Sequence, residues 1–243
     1  MSEWPKVRPE LDPAYRAIYE DHMARNRGGG SALNKAALRM EEWMHRKAAL
    51  PRANTILELG GGNLNHLRFE HPSCSYSVIE PLGTLVEASP LAARVDYLGD
   101  YEDLFNLARD RQRSFDKVLS IAVLEHLEDL PSVVAASAVI LADRGAFVAG
   151  IPSEGGWLWR TSWQATTGRA FRKRYGLDYD RLMAWEHINT EPEILAVIRT
   201  FFADVRVRRF PGSTLNLSLY TAVLAGAPRR DTALTHLSLK RSG

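Results

Sequence analysis

Residues 57–65 are Leu57-Glu58-Leu59-Gly60-Gly61-Gly62-Asn63-Leu64-Asn65, with three glycines directly after a short apolar run. The run at 55–59 predicts a β-strand, because a brief apolar segment ended by glycine is typical of a buried strand. Glycines at this place permit positive φ and let backbone amides approach a ligand without a side chain in the way. The segment therefore predicts a strand that ends in a ligand-binding turn.

Strand-like and helix-like segments alternate on the carboxyl side of this turn. Strands are predicted at 55–59, 76–80, 94–98, 115–120 and 145–151, with helices at 82–88, 101–111 and 130–141 between them. Strands separated by helices at this rhythm predict a parallel sheet with helices on both faces.

Two further strands follow at 205–209 and 217–226, after a helix at 194–202. The linker Pro211-Gly212-Ser213 is too short for a helical crossover, so we expect these two strands to pair antiparallel. The predicted fold is a doubly wound, Rossmann-like α/β domain, with a seven-stranded sheet and an antiparallel last strand.

The domain organisation predicted from these patterns has three parts. Residues 1–50 are predicted to be N-terminal helices, residues 51–227 the ligand-binding domain, and residues 228–243 a loose basic tail. Within the domain, residues 152–190 exceed what a nucleotide-binding fold requires, and they predict a helical cap over the active site. The alternative is a helical pair that only completes the core, since aromatics at helical spacing are usually packing residues.

Composition restricts the class of protein. The 243 residues are 45% apolar and 25% charged, which is ordinary for a globular protein, and a net charge of +2 does not favour nucleic-acid or membrane binding. Cys74 is the single cysteine and cannot form an internal disulfide. Without a signal peptide or a bilayer-length apolar run, the chain is expected to be cytoplasmic.

A carboxylate closes the second predicted strand. Glu80 at that place could bind both hydroxyls of a ribose, a device that dinucleotide-binding folds also use. The turn does not fit the G-x-G-x-x-G pattern, because its last position is Asn65, and it does not fit an ATP-type P-loop. A nicotinamide-dependent oxidoreductase nevertheless remains an alternative, because that class of enzyme also has a strand, a glycine turn and an acid in this order.

Four features follow one another along the chain: the glycine turn, the acid Glu80, Gly99-Asp100, and Phe115-Asp116…Val123-Leu124-Glu125-His126. This ordered series resembles the class I S-adenosylmethionine-dependent methyltransferases, over roughly residues 50–150. The resemblance implies S-adenosylmethionine as cofactor and assigns roles to several residues. Glu58 with Gly60, Gly61 and Gly62 would meet the methionine portion, Glu80 the ribose, Asp100 with Tyr101 the adenine, and Ser120, Ile121 and Ala122 the methionine side. Alternatively, Glu58 forms a salt bridge, Asp100 caps a helix and Ser120 only ends a strand.

A hydroxyl acceptor would need a base, because its proton must leave as the new bond forms. His126 lies just past the fourth strand, at the edge where open α/β sheets bind ligands, and His187 lies where the cap returns to the sheet. These two are the candidate catalytic residues, each with a structural role as its alternative. His22, His45, His66 and His71 show no partner pattern.

No metal site is predicted. Some relatives of the resembled family bind a divalent ion through a Glu-x-x-Glu-His arrangement, and Glu125-His126 with His187 could match part of it. The first carboxylate position is Ala122 here, so one ligand is absent.

The acceptor is predicted to be a small molecule or a glycan, methylated on oxygen. The cap interleaves aromatic residues, which could stack on sugar or ring faces, with arginines, which could pair with phosphate or carboxylate. Single-stranded nucleic acid is disfavoured by the modest charge. A methyltransferase-fold binding protein without turnover is a further alternative. The cap residues are Trp157, Trp159, Trp163, Phe171, Tyr175, Tyr179 and Trp185, with Arg160, Arg169, Arg172, Lys173 and Arg174.

Overall fold

A computed structural model describes residues 4–19, 34–110 and 114–239. Seven strands form one sheet in the order β3-β2-β1-β4-β5-β7-β6. The strands are β1 Thr55–Leu59, β2 Ser75–Ile79, β3 Tyr97–Gly99, β4 Phe115–Ile121, β5 Leu141–Pro152, β6 Phe202–Pro211 and β7 Ser218–Pro228.

Strands β1 to β5 pair parallel, and β7 lies antiparallel between β5 and β6. The short connection through Pro211 brings β7 back beside β6, as its length requires. The predicted doubly wound, seven-stranded sheet with an antiparallel last strand is confirmed.

Helices cover both faces of the sheet. They are α1 at residues 13–19, α2 Asn34–Ala49, α3 Gly83–Glu87, α4 Tyr101–Asp110, α5 Leu130–Ile140, α6 Trp157–Trp163, α7 Arg169–Tyr175, α8 Tyr179–Glu186, α9 Glu191–Phe201 and α10 Arg230–Leu239. A π-helical turn, Gln164–Gly168, joins α6 to α7. Of the N-terminal helices predicted within residues 1–50, residues 1–3 and 20–33 lie outside the described residues.

The core lies on both sides of the sheet. Consecutive residues of β1 pack on opposite faces of the sheet. Ile56 packs with Tyr76 and Leu119, whereas Leu57 packs with the apolar helix α5. Side chains alternate along a strand, and strands buried on both faces are apolar throughout. This double burial explains why apolar residues occupy both faces of the parallel strands.

The helices α6 to α8 and the N-terminal segment share a separate apolar cluster. Tyr15 and Leu11 pack there against Phe171, Tyr179 and Leu182. The Tyr15 hydroxyl also donates to the carbonyl of Asp178 at 2.9 Å. The N-terminal segment is therefore anchored to the cap region.

The expectation of a loose tail from residue 228 is wrong for residues 230–239, which form α10. Ala233 is fully buried, and Leu234 and Leu237 pack against the core that includes α5. These three residues lie on one helical face, so burial of that face stabilises a segment whose polar composition suggested disorder. Within the described chain, no helix combines the length and apolarity that crossing a bilayer requires.

Candidate active site

A cleft of about 780 Å³ lies at the carboxyl ends of β1, β2 and β4. Open α/β sheets bind ligands at this edge. The cleft brings together most of the predicted site residues: Glu58, Gly60, Gly61, Gly62, Glu80, Tyr101, Ile121, Ala122 and His126 line it. Asp100, Ser120 and His187 are not among the lining residues.

The glycine turn is sterically constrained. Gly60 has φ +68°, and a Cβ added there would lie 2.3 Å from Cγ2 of Val123. A Cβ at Gly61 would lie 2.7 Å from Cγ1 of Val78. Gly62 has φ +48° with open space around it. Close packing therefore requires glycine at 60 and 61, whereas backbone conformation favours it at 62.

Glu58 is a buried acid at the base of the turn. Its Oε2 accepts a hydrogen bond of 2.7 Å from the Tyr76 hydroxyl. Burial raises the pKa of Glu58 to about 8, although the hydrogen bond from Tyr76 opposes this change. The carboxyl group is therefore mostly protonated at neutral pH when no cation is close to it.

Glu80 follows β2 and is held by two backbone N–H groups. Its Oε2 accepts from the backbone N–H of Gly62 at 3.0 Å, and its Oε1 accepts from the N–H of Leu82 at 2.9 Å. Each carboxylate oxygen retains a further lone pair. Glu80 can thus accept hydrogen bonds from two neighbouring ligand hydroxyls without moving.

Asp100 begins α4 as its N-cap. Its Oδ1 accepts from the N–H groups of Glu102 and Asp103, and the Asp103 carboxylate accepts from the N–H of Asp100. This reciprocal arrangement is a capping box. Tyr101, the next residue, does line the cleft. The predicted adenine contact of Asp100 stays a prediction.

The end of β4 forms the floor of the cleft. Ala122 has φ +54°, an unusual conformation for a residue with a side chain, and its N–H donates to the carbonyl of Gly150 at 2.8 Å. Such backbone strain is common at functional sites. Ser120, two residues earlier, is fully buried and is not among the lining residues.

His126 lines the cleft, and its Nε2 lies 3.9 Å from Oε1 of the buried Glu125. Its Nδ1 lies 2.8 Å from the carbonyl oxygen of Glu186, which can only accept, so Nδ1 carries the proton. Burial lowers the pKa of His126 to about 4, with a further contribution from neighbouring His187. The ring is therefore neutral at physiological pH, and Nε2 is a proton acceptor.

His187 has a different environment. Its Nδ1 lies 2.5 Å from Oε1 of Glu154. Burial opposes protonation of His187, yet the hydrogen bond with Glu154 and the nearby carboxylate of Glu125 raise its pKa above the ordinary value. His187 does not line the cleft. Its contact with Glu154 favours the protonated form of the ring.

Three of these side chains form a group that could hold a divalent ion. Ligand atoms of Glu125, His126 and His187 lie within 4.8 Å of one another. Glu125 is buried, and its Oε2 has no hydrogen-bond partner among the described residues. Burial raises the pKa of Glu125 to about 7. Ala122 supplies no fourth ligand, as the sequence indicated.

The turn that carries His126 is clamped from two sides. The Asn189 amide donates to the carbonyls of Leu124 and Leu127 at 2.8 and 2.7 Å. The Arg8 guanidinium donates to the carbonyl of His126 at 2.5 Å. The segment after the cap and the N-terminal segment thus jointly position the catalytic candidate.

Sequence reasoning missed several lining residues: Arg8, Tyr19, Glu41, Met44, His45, His66, Glu186 and Tyr220. The spacing of Glu41, Met44 and His45 on one face of α2 is the signal that could have found part of this set. Arg8 carries no comparable signal.

The basic residues of the cap face solvent. Arg160, Arg169, Arg172, Lys173 and Arg174 are exposed and are not among the lining residues. The cleft is instead lined by the carboxyl groups of Glu41, Glu58, Glu80 and Glu186. Its electrostatics favour a cationic or neutral ligand over an anionic one.

Comparisons of sequence found no matching family model and no matching curated protein. Solved structures do match. The plantazolicin methyltransferase BpumL, in complex with a monoazolic desmethylPZN analog and SAH, has a TM-score of 0.57 and 12% identity, covering 88% of this chain and 91% of that one. The N-methyltransferase NodS from Bradyrhizobium japonicum WM9, in complex with S-adenosyl-l-homocysteine, has a TM-score of 0.52 and 15% identity, covering 88% and 97%.

An O-methyltransferase family protein from Burkholderia thailandensis has a TM-score of 0.54 and 17% identity over 86% of this chain. The present chain spans 61% of the length of that protein. At identities this low, the structural matches establish the fold alone. The chain has the Rossmann-like fold of the class I S-adenosylmethionine-dependent methyltransferases.

Proposed function

We propose that the protein is an S-adenosylmethionine-dependent methyltransferase that acts on a hydroxyl group of a small-molecule or glycan-type acceptor. One observation carries the proposal: the glycine turn, Glu58 and Glu80 line a single cleft at the carboxyl edge of the sheet. Two proteins with the same fold, NodS and BpumL, were solved with S-adenosylhomocysteine.

The residues present fit this cofactor. Glu58 and the turn would hold the methionine portion, Glu80 the two ribose hydroxyls, and Tyr101 with Asp100 the adenine. The cofactor carries positive charge on sulfur and on its amino group, and the acidic lining of the cleft suits both. When bound, S-adenosylmethionine supplies an electrophilic methyl group.

A pyrophosphate suits the same cleft poorly. Arg8 is the one arginine or lysine among the described lining residues, and its guanidinium is already engaged by the His126 carbonyl and the Glu128 carboxylate. The antiparallel β7, inserted between β5 and β6, also makes the strand order of this sheet differ from the usual dinucleotide-binding order. Both observations favour methyl transfer over nicotinamide chemistry.

On the acceptor side, His126 would take the hydroxyl proton at Nε2 while the oxygen–methyl bond forms and the methyl–sulfur bond of the cofactor breaks. The hydrogen bond from Nδ1 to the Glu186 carbonyl keeps the ring in the tautomer that this step requires. Alignment of acceptor oxygen and methyl carbon supplies much of the remaining acceleration, because an in-line displacement needs little covalent help.

The test combines binding with turnover. Calorimetry with S-adenosylhomocysteine and, separately, NADH should show binding of the first only. Transfer of a radiolabelled methyl group should then be followed over a panel of methyl glycosides and phenols. Binding of NADH without binding of S-adenosylhomocysteine would contradict the proposal, and binding without transfer to any acceptor class would favour a binding protein.

Treatment with a chelator distinguishes two possible roles of His126, as a general base and as a metal ligand. With a base mechanism, EDTA leaves the rate of methyl transfer unchanged. A rate that EDTA abolishes and a divalent ion restores would assign Glu125, His126 and His187 to a metal site instead.

A further inference from the structure

Tyr220 brings a hydroxyl group to the cleft from β7, at the carboxyl edge of the sheet. It lines the cleft, and it pairs with Pro152 at the end of β5 and with Phe210 of β6. Directly opposed residues of an antiparallel pair place their side chains on the same face of a sheet. Phe210 contacts Trp43 of α2, with ring centroids 5.2 Å apart, so the Tyr220 side chain also lies on the α2 side.

The cap holds the ring of Tyr220 from one side. Trp159 of α6 contacts it edge to face, with ring centroids 5.4 Å apart and planes at 74°. The indole N–H of Trp159 donates to Oε1 of Glu154 at 2.8 Å, and the same oxygen lies 2.5 Å from Nδ1 of His187. The aromatic contact orients the tyrosine ring, and the hydrogen bond to Glu154 keeps the indole in place.

The hydroxyl of Tyr220 is an unused hydrogen-bond donor. It forms no hydrogen bond within the described ranges 4–19, 34–110 and 114–239. Burial, together with the nearby carboxyl groups of Glu41 and Glu125, raises the pKa of Tyr220 to about 12. The hydroxyl therefore keeps its proton at neutral pH and can donate. Because an unpaired donor in a half-buried site costs free energy, a ligand atom that accepts a hydrogen bond is favoured here.

Glu41 supplies an acceptor on α2. It lines the cleft, and its side chain is 44% exposed. His45, whose Nε2 lies 3.6 Å from Oε1 of Glu41, lowers the pKa of Glu41 by donating towards it, so the carboxylate is ionised. Arg68 adds to this effect but does not line the cleft. Glu41 acts electrostatically on Tyr220 without a hydrogen bond between them. A donor and an ionised acceptor thus lie close together in the cleft, unpaired with each other.

A hydroxyl group satisfies both residues at once. It accepts through its oxygen lone pairs and donates its proton, so it can accept from Tyr220 and donate to Glu41. An ammonium group has no lone pair for Tyr220, and an ether oxygen has no proton for Glu41. The two residues therefore discriminate among ligand groups by their hydrogen-bonding pattern.

We propose that Tyr220 and Glu41 form a hydroxyl-binding pair, which holds a hydroxyl group of the methyl acceptor other than the one that His126 deprotonates. That the ligand is the methyl acceptor rests on the proposed function. His126 follows β4, whereas the pair lies on β7 and α2, so the two hydroxyl groups are bound by different elements. The acceptor class is thereby narrowed to molecules with at least two hydroxyl groups, as sugars have.

The pair is tested by NMR with three cyclic probes, in protein whose tyrosines carry ¹³C at Cζ. Cyclohexanol offers a donor and an acceptor, tetrahydropyran an acceptor only, and cyclohexylamine, protonated at neutral pH, donors only. The probes are titrated into the full chain and into its S-adenosylhomocysteine complex. In both, cyclohexanol should move the Tyr220 signal, which is identified by its absence in Tyr220→Phe.

The probes should respond differently to the two variants. Tyr220→Phe should weaken the binding of cyclohexanol and tetrahydropyran by about two- to tenfold, a loss typical of one uncharged hydrogen bond, and leave cyclohexylamine binding unchanged. Glu41→Ala should weaken the binding of cyclohexanol and cyclohexylamine by about tenfold, and leave tetrahydropyran binding unchanged. Tyr175→Phe and Glu42→Ala are the matched controls, because neither residue lines the cleft and Glu42 pairs with Arg46.

The proposal would be overturned by cyclohexanol binding that is unchanged in Tyr220→Phe, by equal losses for all three probes in that variant, or by the same losses in a control variant. A Tyr220 signal that no probe moves would also overturn it. So would a signal that cyclohexanol moves only without S-adenosylhomocysteine, since the hydroxyl would then contact the cofactor. If S-adenosylhomocysteine fails to bind while the probes respond as expected, the proposed function fails and the hydroxyl-binding pair stands.

Discussion

The imidazole rings of His126 and His187 meet edge to face, with centroids 4.8 Å apart and planes at 79°. His126 lines the cleft and donates from Nδ1 to the carbonyl of Glu186, whereas His187 does not line the cleft and is paired with Glu154. The two candidate bases are therefore unequal. His126 is placed to accept a proton, and His187 is placed to influence it.

Replacing the two histidines separates these roles. His126→Asn should lower kcat by about 10²–10⁴-fold, the usual contribution of a general base, with S-adenosylhomocysteine affinity unchanged by calorimetry. His187→Asn should lower kcat by a smaller factor. Equal losses in both variants would contradict the assignment, and a dispensable His126 would favour an amine acceptor.

The pH dependence follows from the pKa of His126 at about 4. A base works only when deprotonated, so its contribution to the rate should persist through neutral pH and be lost as pH falls through about 4. The charge on His187 contributes to this low pKa, so His187→Asn should move the His126 titration to higher pH. NMR titration of the His126 ring checks both statements, and an unmoved titration in the variant would refute the coupling.

Glu80 tests the ribose contact. Glu80→Ala should weaken S-adenosylhomocysteine binding by roughly one to two orders of magnitude, because a charge-assisted hydrogen bond contributes about 1.5–3 kcal/mol. Glu87→Ala is a suitable control, since Glu87 is exposed at the end of α3 and does not line the cleft. Unchanged calorimetric affinity in Glu80→Ala would remove the ribose assignment.

Glu58 should release a proton when the cofactor binds. Its pKa of about 8 leaves it mostly protonated at pH 7, and a cation placed beside it favours the carboxylate. Binding should therefore release up to about one proton, and affinity should rise with pH until about 8. Calorimetry in buffers of different ionisation enthalpy measures the release, which Glu58→Gln should abolish.

The glycine turn allows a matched pair of substitutions. Gly60→Ala combines positive φ with a clash against Val123 and should destabilise the fold by about 2–4 kcal/mol. Gly62→Ala meets open space and should cost about 1–2 kcal/mol from backbone conformation alone. Urea unfolding measures both, and the difference should shrink in the double variant Gly60→Ala with Val123→Ala. Equal costs at the two positions would contradict this account.

The main elements of the fold could be predicted from the sequence because the evidence for them is local. Strand β1 was predicted at the residues where it lies, and the short linker at Pro211 was enough to predict the antiparallel pairing of β7 with β6. The prediction of a loose tail is wrong for residues 230–239, because Ala233 is buried by packing against an element about 100 residues earlier, and composition does not report such a contact.

The sequence alone determined the order of the elements and the chemistry gathered at the carboxyl edge of the sheet, since parallel strands bring their ends together whatever surrounds them. Only the tertiary structure decided which of the two candidate bases lines the cleft and which of its ring nitrogens carries the proton. The tautomer of His126 depends on the carbonyl of Glu186, 60 positions away. Proton positions follow from such distant partners and from burial, and neither is encoded in local spacing.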